Sequence, residues 1–333
     1  MARLFAAALL VWSLAGPALA ASLDAAAINN AEHRARPKTD NIDPAVVKVQ
    51  VLLDRALFSP GEIDGKLAEN TQKALRAFAE ANGLTFDKTI TQQLWDKLAE
   101  SSRDAVVSQY TITEKDLKGP FLHKLPAKME DMKGLPALGY TSPREALAEK
   151  FHMSEALLAG LNPGKKFETS GETIFVAAVR DAPAKLNIGR VEVDKARQTV
   201  KAFDPNGALL AFFPATVGSA EKPTPSGTLK VASVDANPNY RYRPDYKFKG
   251  VRSKQPFTIK PGPNNPVGAY WIGLSAEGYG IHGTPEPSKV SKSASHGCVR
   301  LTNWDVAWLG GSIKKGAPVE FVERPPIDKS ARR

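Results

Sequence analysis

Between Pro44 and Leu98 apolar residues return every three or four positions, the period of helices with one buried stripe. Val46, Val47, Val49, Leu52, Leu53 and Leu57 predict one helix, stopped by Ser59-Pro60-Gly61. A second is predicted from about Glu69, with Ala74, Leu75, Phe78 and Ala79 on one face and Asn82-Gly83 at its end; a third runs from about Thr91 through Leu94, Trp95 and Leu98. Three such helices can enclose one small core. Over 110–178 the pattern is mixed: a helix around Leu147 and Phe151 after Pro143, another capped by Ser154 and carrying Leu157, Leu158 and Leu161, and a closing strand over 171–176. Tyr110-Thr111-Ile112 is the candidate opening strand. From Leu186 the chain turns β-rich. Residues 190–193, 199–203 and 208–217 alternate or run apolar, Asp204-Pro205-Asn206-Gly207 is a turn, and 228–234, 269–274 and 319–322 add strands. Short strands punctuated by Gly and Pro predict a β-sandwich or barrel. One helix is expected there, capped by Thr302 or Asn303, carrying Trp304, Val306 and Trp308 as core anchors, and ended by Gly310-Gly311. The expected fold is therefore multidomain: a small all-α domain (44–99), a small α+β middle domain (110–178) and a mainly-β C-terminal domain (187–323) before a tail (324–333).

The ends and the charge refine this picture. Arg3, an apolar run over 4–16 and Ala18-Leu19-Ala20 read as a secretory signal spanning 1–20. The run falls short of the roughly 20 apolar residues a transmembrane helix needs, and no later stretch approaches that length. A periplasmic protein without a transmembrane segment is expected. Pro17 stands where a lipid anchor would need Cys, and residues 21–43, Ala-rich and then polar, read as a flexible leader. The chain has 45 Lys and Arg against 35 Asp and Glu, a formal charge of +10. Outside the cytoplasm that excess points to anionic surface polymers or membrane rather than nucleic acid, and solubility explains it equally well.

Cys298 is the only cysteine, so no intramolecular disulfide exists. It stands in Ser295-His296-Gly297-Cys298-Val299-Arg300, 16 residues after Ile281-His282-Gly283-Thr284. A thiol attacks a carbonyl as thiolate, and an imidazole nearby takes the proton and later delivers one to a leaving amine. Gly283 and Gly297 permit close backbone approach, so that N–H groups near Cys298 can face an oxyanion. Two other readings compete: zinc held by His282, His296 and Cys298, disfavoured by two ligands only two positions apart and no carboxylate nearby, and a purely structural cysteine. His123 and His152 read as surface or packing histidines.

The stretch from His282 to Arg300 resembles the signature of the L,D-transpeptidase catalytic domain, a resemblance extending over about 187–323 and including Thr224-Pro225-Ser226-Gly227 and the run from Pro266 to Leu274. It implies Cys298 as nucleophile, His282 as general base and acid oriented by the Gly283 carbonyl, and the Gly297 and Cys298 amides as oxyanion donors. Ser295 and His296 would shape the pocket, with Arg300 and Tyr270 as substrate contacts. Arg300 departs from the Asn of some family members; its planar fork suits a carboxylate, and a structural ion pair is the alternative. No metal and no cofactor are implied. The implied reaction releases D-alanine from a tetrapeptide stem, leaves a thioester and passes the acyl group to an amine as a 3→3 crosslink. Carboxypeptidase or endopeptidase action, or attachment of a protein acceptor to the wall, would use the same thioester. A wall-binding scaffold with a dead catalytic domain is argued against by the intact His282 and Cys298. Ahead of it, Gln50-Val51-Leu52-Leu53, Ile63-Asp64-Gly65 and the run from Thr71 to Phe78 resemble a peptidoglycan-binding domain. Residues 146–163 resemble a lysin motif whose usual opening turn is replaced by some 30 intervening residues, which implies glycan binding with peptidoglycan as partner. Plain spacers are the alternative. Pro285, Pro287, Lys289 and Lys292 read as a loop that either rims the cleft or is merely solvated.

Overall fold

The computed structural model describes residues 23–37, 41–100, 102–180, 186–219, 221–246, 251–293, 295 and 297–325. The proposed signal segment 1–20 lies outside them. Helix α1 (Ala25–Asn29) precedes the three predicted helices, α2 (Pro44–Arg55), α3 (Glu69–Ala81) and α4 (Gln92–Glu100). Asp43 caps α2 by accepting from the Ala45 amide at 2.8 Å, with Pro44 at the first turn where no N–H partner is needed. The described part of the leader is packed rather than flexible. Ile28 is fully buried, Asn29 Oδ1 accepts from the Val106 and Val107 amides at 2.9 Å, and His33 Nε2 lies 2.6 Å from the Ile90 carbonyl oxygen. Composition hid this, because a single isoleucine on a one-turn helix supplies the anchor.

The middle unit follows as β1 (Val107–Thr111), α5 (Glu114–Leu117), α6 (Met129–Met132), α7 (Pro143–Lys150), α8 (Glu155–Leu161) and β2 (Thr173–Ala177). Strands β1 and β2 pair antiparallel from Val107↔Ala177 to Thr111↔Thr173. Helix α2 buries Val46, Val47, Val49, Val51, Leu52 and Leu53, residues spread too far round the helix for one face. It packs against α1 as well as α3 and α4, and Leu75, Leu94, Leu147, Leu157 and Val176 belong to one continuous core. The two front units therefore share a core, where the sequence pattern predicts two.

The C-terminal part holds β3 (Arg190–Asp194), β4 (Thr199–Phe203), β5 (Leu209–Pro214), β6 (Gly227–Ala236), β7 (Tyr240–Tyr242), β8 (Phe257–Ile259), β9 (Tyr270–Leu274), β10 (Gly280–His282), β11 (Val299–Arg300), α9 (Asn303–Ser312) and β12 (Pro318–Val322). Strands β7 and β8 form a separate hairpin. The other eight β-strands of this part form one sheet in the order β11-β10-β9-β6-β12-β3-β4-β5. It is antiparallel except for β10–β11 and β12–β3. The sheet curls until its ends meet: beyond β5, Thr216 exchanges two backbone hydrogen bonds of 2.9 Å with Arg300 in β11. The expected mainly-β domain is thus a single curled sheet closed at one seam, the barrel form of the two that were expected. Val191, Phe213, Ile272, Ile281, Val306 and Trp308 fill its interior.

Helix α9 continues through Gly310-Gly311 to Ser312. Gly310 is a contact glycine rather than a stop signal, since a Cβ there would lie 2.3 Å from the Tyr270 ring.

The front half is bonded to the sheet domain. Phe58 bridges to Phe212 of β5, with Ser59 donating from its amide to the Phe212 carbonyl at 2.9 Å. Trp304 of α9 stacks on His152 of the middle unit at 5.0 Å and 10°. Beneath them Arg180 pairs with Asp54 at 3.1 Å and Asp305 at 3.2 Å, both carboxylates fully buried.

Candidate active site

Cys298 directly precedes β11, and His282 ends β10. The parallel pairing of these strands sets Ile281 opposite Val299 and His282 opposite Arg300, which brings both halves of the predicted constellation to one sheet end. His282, Cys298, Ser295 and Arg300 line a single cleft of about 1060 Å³. Ser295 is held at the seam of the curled sheet: it donates from its amide to Val217 O at 2.8 Å, and Ser219 donates to Ser295 O at 3.1 Å.

His282 is buried, and its Nδ1 lies 2.7 Å from the Gly283 carbonyl oxygen. A carbonyl only accepts, so Nδ1 carries the proton and Nε2 keeps the lone pair a general base needs. Burial pushes the His282 pKa down to about 3, helped by the charge of Arg300 and opposed by the Gly283 hydrogen bond. Burial likewise raises the Cys298 thiol, with the Gly280 backbone and Arg300 working the other way. Both effects favour the uncharged forms, thiol and imidazole.

The nucleophile loop is held from two sides. Ser295 Oγ accepts from the Gly297 amide at 3.2 Å and donates to the Cys298 carbonyl at 2.5 Å. Thr224, at the head of the Thr-Pro-Ser-Gly stretch, donates to the Gly297 carbonyl at 3.0 Å and accepts from the Gly218 amide at 2.7 Å. Gly297 sits at φ +106°, a conformation L side chains rarely adopt. Its amide, expected to face an oxyanion, is engaged by Ser295 in this state. His296 lies outside the described residues.

Tyr270 does not line the cleft. It packs against Gly310 on the helix side of the sheet, while its neighbour Trp271 faces the cleft and stacks on His282 at 5.6 Å and 21°. Successive strand residues point to opposite faces, so only one of the two can reach the substrate side. Trp271 stands directly opposite His282 in the antiparallel register, a relation readable once those strands are paired. Met129 of the middle unit also lines the cleft, and nothing in its local sequence marks it. Arg300 lies in the same wall with its Nε unpaired among the described residues. Lys289 of the 285–292 segment pairs with Glu286 instead of lining the cleft. Among the described residues no group of three or more His, Cys, Asp or Glu side chains is placed to hold a metal ion, and no helix is long and apolar enough to cross a membrane.

Residues 188–321, which hold this cysteine and carbonyl-oriented histidine, match the L,D-transpeptidase catalytic domain, and residues 43–98 match a putative peptidoglycan binding domain. Among particular proteins, it is 29% identical over 179 residues to the putative L,D-transpeptidase YkuD of Bacillus licheniformis, covering 53% of this chain and 92% of that one. It is 28% identical over 194 residues to the probable L,D-transpeptidase YbiS of Escherichia coli, covering 56% of this chain and spanning 62% of the relative's length. A crystal structure of L,D-transpeptidase 3 from Mycobacterium tuberculosis aligns with a TM-score of 0.34 at 17% identity, over 46% of this chain and 76% of that one.

Proposed function

We propose that the protein is an exported, periplasmic peptidoglycan L,D-transpeptidase in which Cys298 is the nucleophile and His282 the general base and acid. The observation that carries this reading is the pairing of β10 with β11, which sets a buried, carbonyl-oriented imidazole and the lone thiol in one cleft. In the first half-reaction the Cys298 proton passes to His282 Nε2 as sulfur bonds to the carbonyl carbon at the L-centre of diaminopimelate in a tetrapeptide stem. The C–N bond to D-alanine breaks, and the histidine returns the proton to the leaving amine. In the second, an amine of a neighbouring stem forms the new C–N bond, the C–S bond breaks, and the acceptor's proton restores the thiol. Water in place of the amine gives a carboxypeptidase.

Arg300 fits a substrate carboxylate, since it lines the cleft and its planar guanidinium can hold a carboxylate bidentately. The front half is assigned to binding the wall, supported by the peptidoglycan-binding match over 43–98. The antiparallel β1–β2 pair with α7 and α8 between its strands supports the lysin-motif-like reading of the middle unit, with the short helices α5 and α6 in the added segment after β1. Wall fragments incubated with the protein should gain 3→3 crosslinked dimers, read by mass spectrometry. Insensitivity to a thiol-alkylating reagent, or loss of the product with a chelator and its recovery with zinc, would overturn the reading.

A further inference from the structure

The peptide linking Gly283 to Thr284 has two ends with different partners. Its carbonyl holds His282 Nδ1 at 2.7 Å, and its N–H donates to Asn303 Oδ1 at 3.2 Å. A peptide unit is planar and rigid, so fixing the N–H fixes the direction of the carbonyl. Asn303 Oδ1 also accepts from the Ala269 amide at 3.0 Å, and a Cβ on either Gly268 or Gly283 would approach that oxygen to 2.1 Å. The carboxamide is therefore wedged between the two chain segments that frame the histidine.

Part of what orients the carboxamide comes from outside the catalytic domain. Asn303 Nδ2 donates to both oxygens of Glu149, at 3.2 and 3.1 Å, and to the Pro263 carbonyl at 3.1 Å. Glu149 sits on α7 of the middle unit and is buried, with Tyr140 Oη at 3.5 Å. Burial raises its pKa to about 8, opposed by the Asn303 hydrogen bond and reinforced by Glu145 and Glu62.

We propose that Glu149 is a positioning residue for the catalytic histidine: through Asn303 it fixes the Gly283–Thr284 peptide, so the middle unit helps to set the active-site geometry. This rests on His282 being the base. A carboxyl left without Asn303 would be buried and unsatisfied, whereas a Gln at the same place keeps a carbonyl oxygen for Nδ2.

The test is the pH–rate profile of iodoacetamide alkylation at the single Cys298 in the full chain, alongside acylation by a tetrapeptide stem. Glu149→Leu should slow acylation by about 10- to 100-fold, the scale of a misplaced catalytic group, and shift the alkylation profile toward that of His282→Ala. Glu149→Gln should stay within about threefold of the parent in both, a margin far below the tenfold step that one hydrogen bond's loss produces. Should Glu149→Leu not fold, Asn303→Asp serves: it sets two carboxyl groups face to face and should be slow, and Glu149→Gln in the same chain should restore part of the rate. A folded Glu149→Leu with the parent's profile, where His282→Ala differs, overturns the proposal and leaves the function standing. An unchanged profile in His282→Ala overturns the function itself.

Discussion

Replacing Arg180 with leucine probes the bond between the front half and the catalytic domain. The guanidinium donates to the Asp54 carbonyl at 2.7 Å as well as to its carboxylate, and reaches Asp305 on α9 with its other nitrogen. Asp54 is further held by His152 at 2.9 Å, and Asp305 by Ser59 Oγ at 2.8 Å. Burial pushes the Asp54 pKa up, but Arg180 and His152 outweigh it and bring the group down to about 2 from an ordinary 3.8. That depression corresponds to about 2 kcal/mol of stability, at 1.36 kcal/mol per unit. Its sign is fixed: the contribution is present above about pH 4 and lost as pH falls toward 2. Asp305 is raised by burial even with Arg180 beside it. Removing the cation leaves two buried carboxylates short of a partner, a loss of about 3–5 kcal/mol for a broken buried pair. Denaturant unfolding of the full chain, followed by tryptophan fluorescence because Trp304 stacks on His152 at this interface, should show that loss at pH 7. The gap between variant and parent should narrow toward pH 4, as the stranded carboxyls take up protons. A variant within 1 kcal/mol of the parent at pH 7, where one buried partner's loss is worth about 3 or more, would show that this buried charge cluster is not what holds the halves together.

Other consequences are open to simpler assays. With its pKa raised by burial, Cys298 should react with iodoacetamide more slowly at pH 7 than a free thiol of pKa about 8.5, and faster as pH rises; a low-pH plateau would indicate a resting ion pair instead. Trp271→Ala should lower the acylation rate by roughly tenfold or more through loss of the surface against His282, the scale of about 1.4 kcal/mol, whereas Tyr270→Ala should act on thermal stability through the Gly310 contact; the reverse pattern would contradict the strand-face assignment. Met129→Ala should raise KM for a stem peptide while leaving iodoacetamide reactivity at Cys298 unchanged, and equal effects on both would remove Met129 from the substrate wall.

The helices α2, α3 and α4 and the β-strands β3, β4, β9 and β12 were legible because periodicity and turn residues act locally. The seam joining Thr216 to Arg300 was not, since it is a contact between distant segments with no pattern of its own. For the same reason the sequence pointed to Cys298 and His282, whose motifs are local, and passed over Glu149, Asn303 and Met129. Glu149 reads as one more charge on an amphipathic helix until the fold brings it to Asn303, 154 positions away. Tyr270 and Trp271 are indistinguishable by type; only the strand's alternation, tied to Gly310 on one side and His282 on the other, separates them.

The central claim is that Cys298 forms a thioester with the help of His282. Intact-mass spectrometry of the protein mixed with a diaminopimelate-containing tetrapeptide tests it most directly. The parent should gain the tripeptide acyl mass and release one D-alanine, Cys298→Ala should gain nothing, and His282→Ala should acylate about 10²- to 10⁴-fold more slowly, the usual contribution of a general base. D-alanine release by Cys298→Ala, or acylation of His282→Ala at the parent's rate, would contradict the account.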